Sequence, residues 1–205
     1  MSLILFVALA MDASVPIFLG WSNDDSSVAF LQHGIHDGSG FPFVYLEITG
    51  PHGTNRYFYE YFCYEEERSP NWLLTRARET ARAEGIPGDR LGKRLKVKMT
   101  DTMRLCCDSC PGTLRKYSFG DEMLYIVETH CEEINKDSYG WPGGVVRGTW
   151  RGNEVFSLPL EGNGFSWWLE DAYSYKGKFA LILGHLEPGF EGPDSRFRLF
   201  MVELR

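Results

Sequence analysis

The sequence predicts a mainly β fold built from antiparallel hairpin modules, with one surface helix inserted near residues 70–85. Three observations carry that expectation. Short apolar runs alternate with turns rich in Gly, Asn, Asp and Pro at both ends of the chain. Aromatic residues make up 15% of the sequence, and dense aromatic runs favour strand over helix. One stretch has helical spacing together with helix start and stop signals.

The chain has 205 residues and 43% hydrophobic content, enough for one domain with a core of ordinary size. Residues 11–205 read as a single β-rich domain with a helical, basic and cysteine-containing middle segment at about 65–131. The formal net charge is −7, which argues against nucleic acid as the main partner. The charge is uneven. Between Arg68 and Lys98, nine Arg/Lys stand against three Asp/Glu, so that stretch carries +6 and the remainder −13.

The start, "MSLILFVALA", is apolar and ends in Ala8-Leu9-Ala10, the small-x-small pattern that signal peptidase accepts. No basic residue precedes the apolar run. Residues 1–10 therefore read as a signal segment, which implies an extracytoplasmic protein, or as a buried first strand, which implies a cytoplasmic one. No stretch approaches the ~20 apolar residues of a membrane-spanning helix.

The elements follow in order. Ile17–Trp21 and Val28–Leu31 flank "SNDDSS" and form a hairpin. Asn and Asp suit such a turn because they bond their own backbone and tolerate unusual dihedrals. The acidity of this turn reads as solvated surface. "FVYLEI" follows as a third strand after a glycine-rich loop. "NRYFYEYFCYEEE" holds six aromatics between Tyr57 and Tyr64; apolar on both faces, it reads as a strand sandwiched within the core. In "RSPNWLLTRARETARAEGIPG", Ser69 caps, Pro70 suits the first helical position, and Gly85 and Pro87 stop the helix. Its apolar stripe of Leu73, Ala77 and Ala81 is thin, as in a surface helix lying on a sheet. "KRLKVKM" alternates: Leu95, Val97 and Met99 one way, Arg94, Lys96 and Lys98 the other. "MLYIVETH" is another strand, and "GGVVRGTWRGNEVFSLPL" is a hairpin turning at Arg151-Gly152-Asn153. The C-terminal end repeats the first layout. Strands near Ala172–Tyr175 and Phe179–Leu183 flank Lys176-Gly177, and a last strand covers Phe197–Leu204. His33 and His185 stand at matching places in the two modules.

"FLGWSNDDSSVAFL" resembles the blade signature of bacterial TolB-like propeller repeats, in which a Gly/aromatic-Ser-x-Asp turn joins two inner strands. "HGIHDGSGFPFVYLEI" and "PGFEGPDSRF" are similar to an uncharacterised bacterial family of predicted secreted proteins. The likeness covers Phe18–Ile48, Leu169–Leu204 and, loosely, the helix. It leaves out the cysteine-bearing middle. It implies an exported β-rich protein and no particular reaction. A complete propeller needs at least about four blades of ~40 residues. The helix and the cysteine segment break that period, so a sandwich or an incomplete propeller is expected.

Several groups are candidates for chemistry. Cys63, Cys106, Cys107, Cys110 and Cys131 are disulfide candidates in an exported protein. Cys107 and Cys110 form a C-x-x-C that supplies half a zinc site, but no second C-x-x-C accompanies it. No cofactor is expected. In "HGIHDGSGFP", His36 and Asp37 suggest a metal or acid–base centre, whereas the glycines read as the corner between two strands. Glu191 and Asp194 in "PGFEGPD" complete a binding site with them if the two loops converge. Arg94, Lys96 and Lys98, with Arg76, Arg78 and Arg82, make a basic patch suited to an anionic partner, or only a solvated face. Trp167-Trp168 and the tyrosine row suit core packing first and sugar stacking second.

Two function classes result. The first is an exported, non-enzymatic binding or protein-interaction module whose partner is a protein or a cell-envelope component. The alternative is a metal-dependent or acid–base hydrolase centred on His36, Asp37, Glu191 and Asp194. Export predicts that mature protein from the native host lacks at least the first ten residues, which an intact-mass measurement reads directly; an intact Met1 on cytosolic protein contradicts it.

Overall fold

A computed structural model describes residues 14–36, 39–60, 70–105, 111–130, 143–160, 164–188 and 193–203. Thirteen strands and one helix lie within them, and the strands form three open antiparallel sheets. The first sheet is a meander of β1 (Val15–Trp21), β2 (Val28–Ile35), β3 (Pro42–Gly50) and β4 (Gly53–Glu60). The helix α1 (Pro70–Ala83) follows. The second sheet is a meander of β6 (Val97–Leu105), β7 (Gly112–Phe119), β8 (Glu122–His130), β9 (Gly144–Trp150) and β10 (Asn153–Pro159). The third joins β5 (Lys93–Leu95) to β11 (Phe165–Tyr175), β12 (Lys178–Pro188) and β13 (Pro193–Glu203), in the order β13-β12-β11-β5.

Three apolar clusters stack these parts as helix, first sheet, third sheet, second sheet. Leu73, Ala77 and Ala81 of α1 pack on Ala29, Leu31, Val44, Leu46 and Ile48 of the first sheet. The opposite face of that sheet presents Phe18, Trp21, Val28 and Phe30 to Ala180, Ile182, Phe197 and Leu199 of the third. The other face of the third sheet presents Leu169, Ala172, Phe179, Leu181 and Leu183 to Phe119, Leu124, Ile126 and Trp150 of the second. The run "FALIL" of β12 therefore sends odd positions one way and even positions the other, and both faces are buried. A strand buried on both faces reads as a continuous apolar run.

A β-bulge between Phe18 and Gly20 tunes the first sheet. A bulge adds one residue and flips the alternation. It brings Trp21 onto the same face as Phe18, towards the third sheet. Gly20 (φ +109°) permits this, and a Cβ there would stand 2.8 Å from the Arg90 carbonyl oxygen.

The terminal modules share a strand order: β1-β2-β3 and β11-β12-β13 are both consecutive meanders. Trp21, Phe30, Phe179 and Leu181 are all buried, as the sequence predicts. The turns at Lys176-Gly177 and Arg151-Gly152 also stand where expected, all four residues with φ between +47° and +79°.

Four expectations need correction. First, the described part of the aromatic stretch is not sandwiched. That part, β4, is an edge strand with mostly exposed positions. Tyr57 and Tyr59 face α1, donating hydroxyl hydrogen bonds to Glu84 and Thr80, while Phe58 points to the other side and is 47% exposed. Second, "KRLKVKM" is not one strand. The chain leaves the third sheet after Leu95 and enters the second at Val97, and Met99 is exposed. Third, β7 and the later part of β6 carry no clean alternation and were not expected as strands. Fourth, the "SNDDSS" turn is not merely solvated. Asp24 accepts bonds from Ser22 and Ser26 inside the turn, whereas Asp25 pairs with Arg90 and Lys176, and its carbonyl accepts from Lys178. The turn thus ties the first sheet to the third.

The interface between the first and third sheets is partly polar. β13 is an edge strand, and its outward backbone groups need partners. Gln32 supplies both for Phe197: its Oε1 accepts from the Phe197 N–H (3.0 Å), and its Nε2 donates to the Phe197 carbonyl (3.2 Å). Ser14 donates to the Ser195 carbonyl, and Glu47 accepts from the Leu199 N–H at 2.8 Å. Replacing Gln32 by Leu strips two buried backbone groups at once, so Gln32→Leu should lower unfolding stability by about 2–4 kcal/mol, measured by urea denaturation.

Candidate functional site

The loop between β2 and β3 is a structural corner. The His36 N–H donates to the Phe41 carbonyl (2.8 Å), and the Gly40 N–H donates to the His36 carbonyl (2.9 Å). Gly40 has φ +69° and supplies the left-handed residue that the corner needs. Pro42 opens β3. Asp37 and Glu191 lie outside the described residues, as do Cys63, Cys106, Cys107, Cys110 and Cys131. Among the described residues, no group of three or more His, Cys, Asp or Glu side chains converges as a metal site.

His36 and Asp194 nevertheless share one neighbourhood, with Phe43 at its centre. The His36 ring stacks on Phe43 (4.5 Å between centroids), and His36 Nε2 lies 3.1 Å from Glu60. The Arg196 guanidinium lies over the Phe43 ring, 5.1 Å from its centroid, and pairs with Asp194 at 3.1 Å. His36 and Asp194 are thus brought together through an aromatic ring and an arginine, each already engaged.

Beside them the first sheet extends past the edge of β13. Its outer strands β3 and β4 put Tyr45, Glu47, Arg56 and Phe58 on the face that the third sheet does not fully cover. Tyr45 and Phe58 stack at 4.5 Å and form a ledge. A groove of about 140 Å³ runs along it, lined among others by Tyr45, Glu47, Arg56, His185, Glu187 and Arg198. The sequence singled out His185 but not Glu47, Arg56, Glu187 or Arg198.

His185 is the buried polar centre of this region, 1% exposed. Its ring stacks on Trp167 at 4.4 Å, 15° from parallel. Gly164 (φ +79°) lets the chain pass the ring, since a Cβ there would stand 2.3 Å from it. Burial pushes the His185 imidazole below its ordinary range, although Glu187 at 2.9 Å opposes that. The neutral ring then donates Nε2–H to Glu187, leaving Nδ1 as a buried acceptor with no hydrogen-bond partner among the described residues. Burial opposes ionisation of Glu187, but the His185 bond and the charges of Arg196 and Arg198 hold its carboxyl below the usual range.

The predicted basic patch is divided. Arg94 lies on β5 of the third sheet and makes a two-pronged pair with Asp171 at 2.9 Å. Lys98 lies on β6 of the second sheet, Lys96 falls between the two, and Arg76, Arg78 and Arg82 belong to a helix packed on the first. Trp167 is buried in the core, while Trp168 is half-buried, lies over Gly184 and donates to Glu170.

No protein-family model matches the chain, and comparison with curated proteins and with solved structures returned no match. The likeness to TolB-type blades therefore rests on the quoted residues alone.

A neutral buried histidine has a definite pH signature. Its folded-state proton affinity is depressed from 6.5, so its contribution is fully present above about pH 6.5 and is lost as the pH falls towards the lowered value. His185→Phe keeps a ring on Trp167 and removes the titration. Between pH 7.5 and about 5.5, thermal unfolding should show a smaller loss of Tm in His185→Phe than in the wild type.

Proposed function

We propose that this chain is an exported, non-enzymatic binding module whose ligand face is the overhang of the first sheet beyond β13. One observation carries the reading: the exposed Phe58 stacked on Tyr45, beside a groove lined by arginines. A stacked pair of aromatics rimmed by charged side chains is the kind of patch that marks an interaction site, whereas a lone exposed ring is not. Export is supported by the apolar start and Ala8-Leu9-Ala10, and the partner is a protein or a cell-envelope component. We read the three meanders as blade-type modules of an incomplete propeller, supported by their consecutive strand order and face-to-face packing.

Binding is favoured over hydrolysis by what holds the candidate groups. A general base must be able to reach and accept a substrate proton. His36 is stacked on Phe43 and bonded to Glu60, and Asp194 is paired with Arg196. These contacts suit positioning more than proton transfer.

The test uses labelled wild type and Phe58→Ala on glycan and peptide arrays. Phe58→Ala should leave Tm within a degree or two and weaken the retained ligand about tenfold, which is about 1.4 kcal/mol. Equal binding by both proteins contradicts the assignment of this face. Hydrolysis that is lost in a folded His36→Ala variant contradicts the binding class altogether.

A further inference from the structure

Arg196 and Arg198 sit on the same face of β13, opposite His185 and Leu183 of β12. Their positions look alike, but their partners differ. Arg196 pairs with Asp194. Arg56, across the groove, donates its Nε–H to Glu47 at 2.8 Å, which leaves its two η nitrogens without a partner among the described residues. Arg198 makes no hydrogen bond and no direct ion pair among the described residues. It is half-buried, and its guanidinium is held below its ordinary range, first by burial and then by the like charge of Arg56. Glu47 and Glu187 attract it from a distance without contact.

A partly desolvated guanidinium with no direct partner, in a groove shared with a second guanidinium, is an unfavourable arrangement. Arginines in proteins normally satisfy their planar fork with a carboxylate, a phosphate or a carbonyl. We propose that the groove is a carboxylate-binding site in which Arg198, with the free side of Arg56, anchors the acid group of an acidic sugar. This rests on the reading of the overhang as a ligand face and adds the chemical class of the ligand.

Three features select that class. The groove lining holds three guanidiniums, Arg56, Arg196 and Arg198, against the carboxylates of Glu47 and Glu187, with His185 neutral. Arg196 is already paired by Asp194 and Arg56 by Glu47, so of the three guanidiniums only Arg198 lacks a direct partner among the described residues, which matches the single charge of a carboxylate; Glu47 and Glu187 repel a dianion such as phosphate more strongly. The groove, about 140 Å³, is smaller than the ~300 Å³ or more of a typical ligand pocket. It accommodates an acid group while the rest of the ligand lies outside, on the Tyr45–Phe58 ledge. A flat sugar ring suits an exposed phenyl face. An extended peptide has less to gain, because the edge of β13 beside the groove is already occupied by Ser14, Gln32 and Glu47.

The experiment is calorimetric titration and thermal shift on the full chain with four probes: sodium glucuronate, glucose, acetyl-glycyl-glycine and sodium sulfate. Wild type should bind glucuronate and gain Tm from it, and should bind glucose, the peptide and sulfate at least tenfold more weakly. Arg198→Gln should lose glucuronate binding at least tenfold, with Arg198→Lys intermediate. Ligand-free Arg198→Gln should keep the wild-type Tm within a degree or two, because the repulsion from Arg56 and the distant attraction of Glu47 and Glu187 disappear together. A Tm lowered by more than that in ligand-free Arg198→Gln assigns Arg198 a structural role and overturns the proposal. So does equal glucuronate affinity in the two proteins, preference for the peptide or sulfate, or absence of glucuronate binding in wild type. If glucuronate fails while a different ligand still depends on Phe58, the carboxylate inference falls and the binding-module reading stands.

Discussion

The architecture depends on how the third sheet satisfies its edges. That sheet is buried on both faces, yet it is open, so its outer strands carry backbone groups that no further strand pairs among the described residues. Burial makes an unpaired N–H or C=O costly, on the order of 1–3 kcal/mol each. The neighbouring sheets solve this with side chains. On one side, Ser14, Gln32 and Glu47 of the first sheet bond the backbone of β13. On the other, Glu128 of the second sheet is 1% exposed and accepts from the N–H groups of Ser166 and Trp167, where β11 bulges and Ser166 adopts φ +54°. Each buried carboxylate is in turn neutralised from its own sheet, Glu47 by Arg56 and Glu128 by Arg115 at 3.0 Å. The polar contacts therefore set the register between sheets that apolar packing alone would leave free to slide.

The candidate site is a consequence of the same arrangement. Side chains close the edge of β13, no strand lies beyond it among the described residues, and the first sheet reaches past it. The residues that cap and the residues that face the groove belong to the same rows. Glu47 bonds Leu199 with one oxygen and Arg56 with the other. Phe43, Tyr45 and Glu47 lie on one face of β3, and only Tyr45, the middle one, is not buried. Structure and recognition are thus coupled: the ledge is held by the contacts that dock the third sheet.

Much of the fold was legible because it follows local chemistry. Turn residues marked three hairpins, at residues 22–27, 151–152 and 176–177, and capping and stop signals marked α1. The apolar run Phe179–Leu183 announced a strand, and its place at the centre of the stack came only with the structure. What misled was density without context. Tyr57–Tyr59 looked like a core strand, but its two faces meet different surroundings, helix on one side and open groove on the other. The break at Lys96 was invisible because the alternation of Leu95, Val97 and Met99 continues across it. β7 was missed because Arg115 and Lys116 interrupt its apolar pattern. His36 and Asp194 were recognised as candidates, and both lie near Phe43, whereas Asp37 and Glu191 fall outside the described residues. The groove itself was not legible. Arg56, Glu187 and Arg198 each look like an ordinary charge on a strand, and only pairing across three distant segments puts them together.

The most direct test of this account is amide hydrogen exchange at Phe197 and Leu199. These N–H groups lie on a sheet edge, and their acceptors are the side chains of Gln32 and Glu47 rather than a strand. Side-chain docking of the third sheet predicts protection close to that of Leu181 and Ile182 in the central strand, with selective loss at Phe197 in a folded Gln32 variant. Rapid exchange of both amides in the wild type, at the rate of an exposed edge, would contradict it.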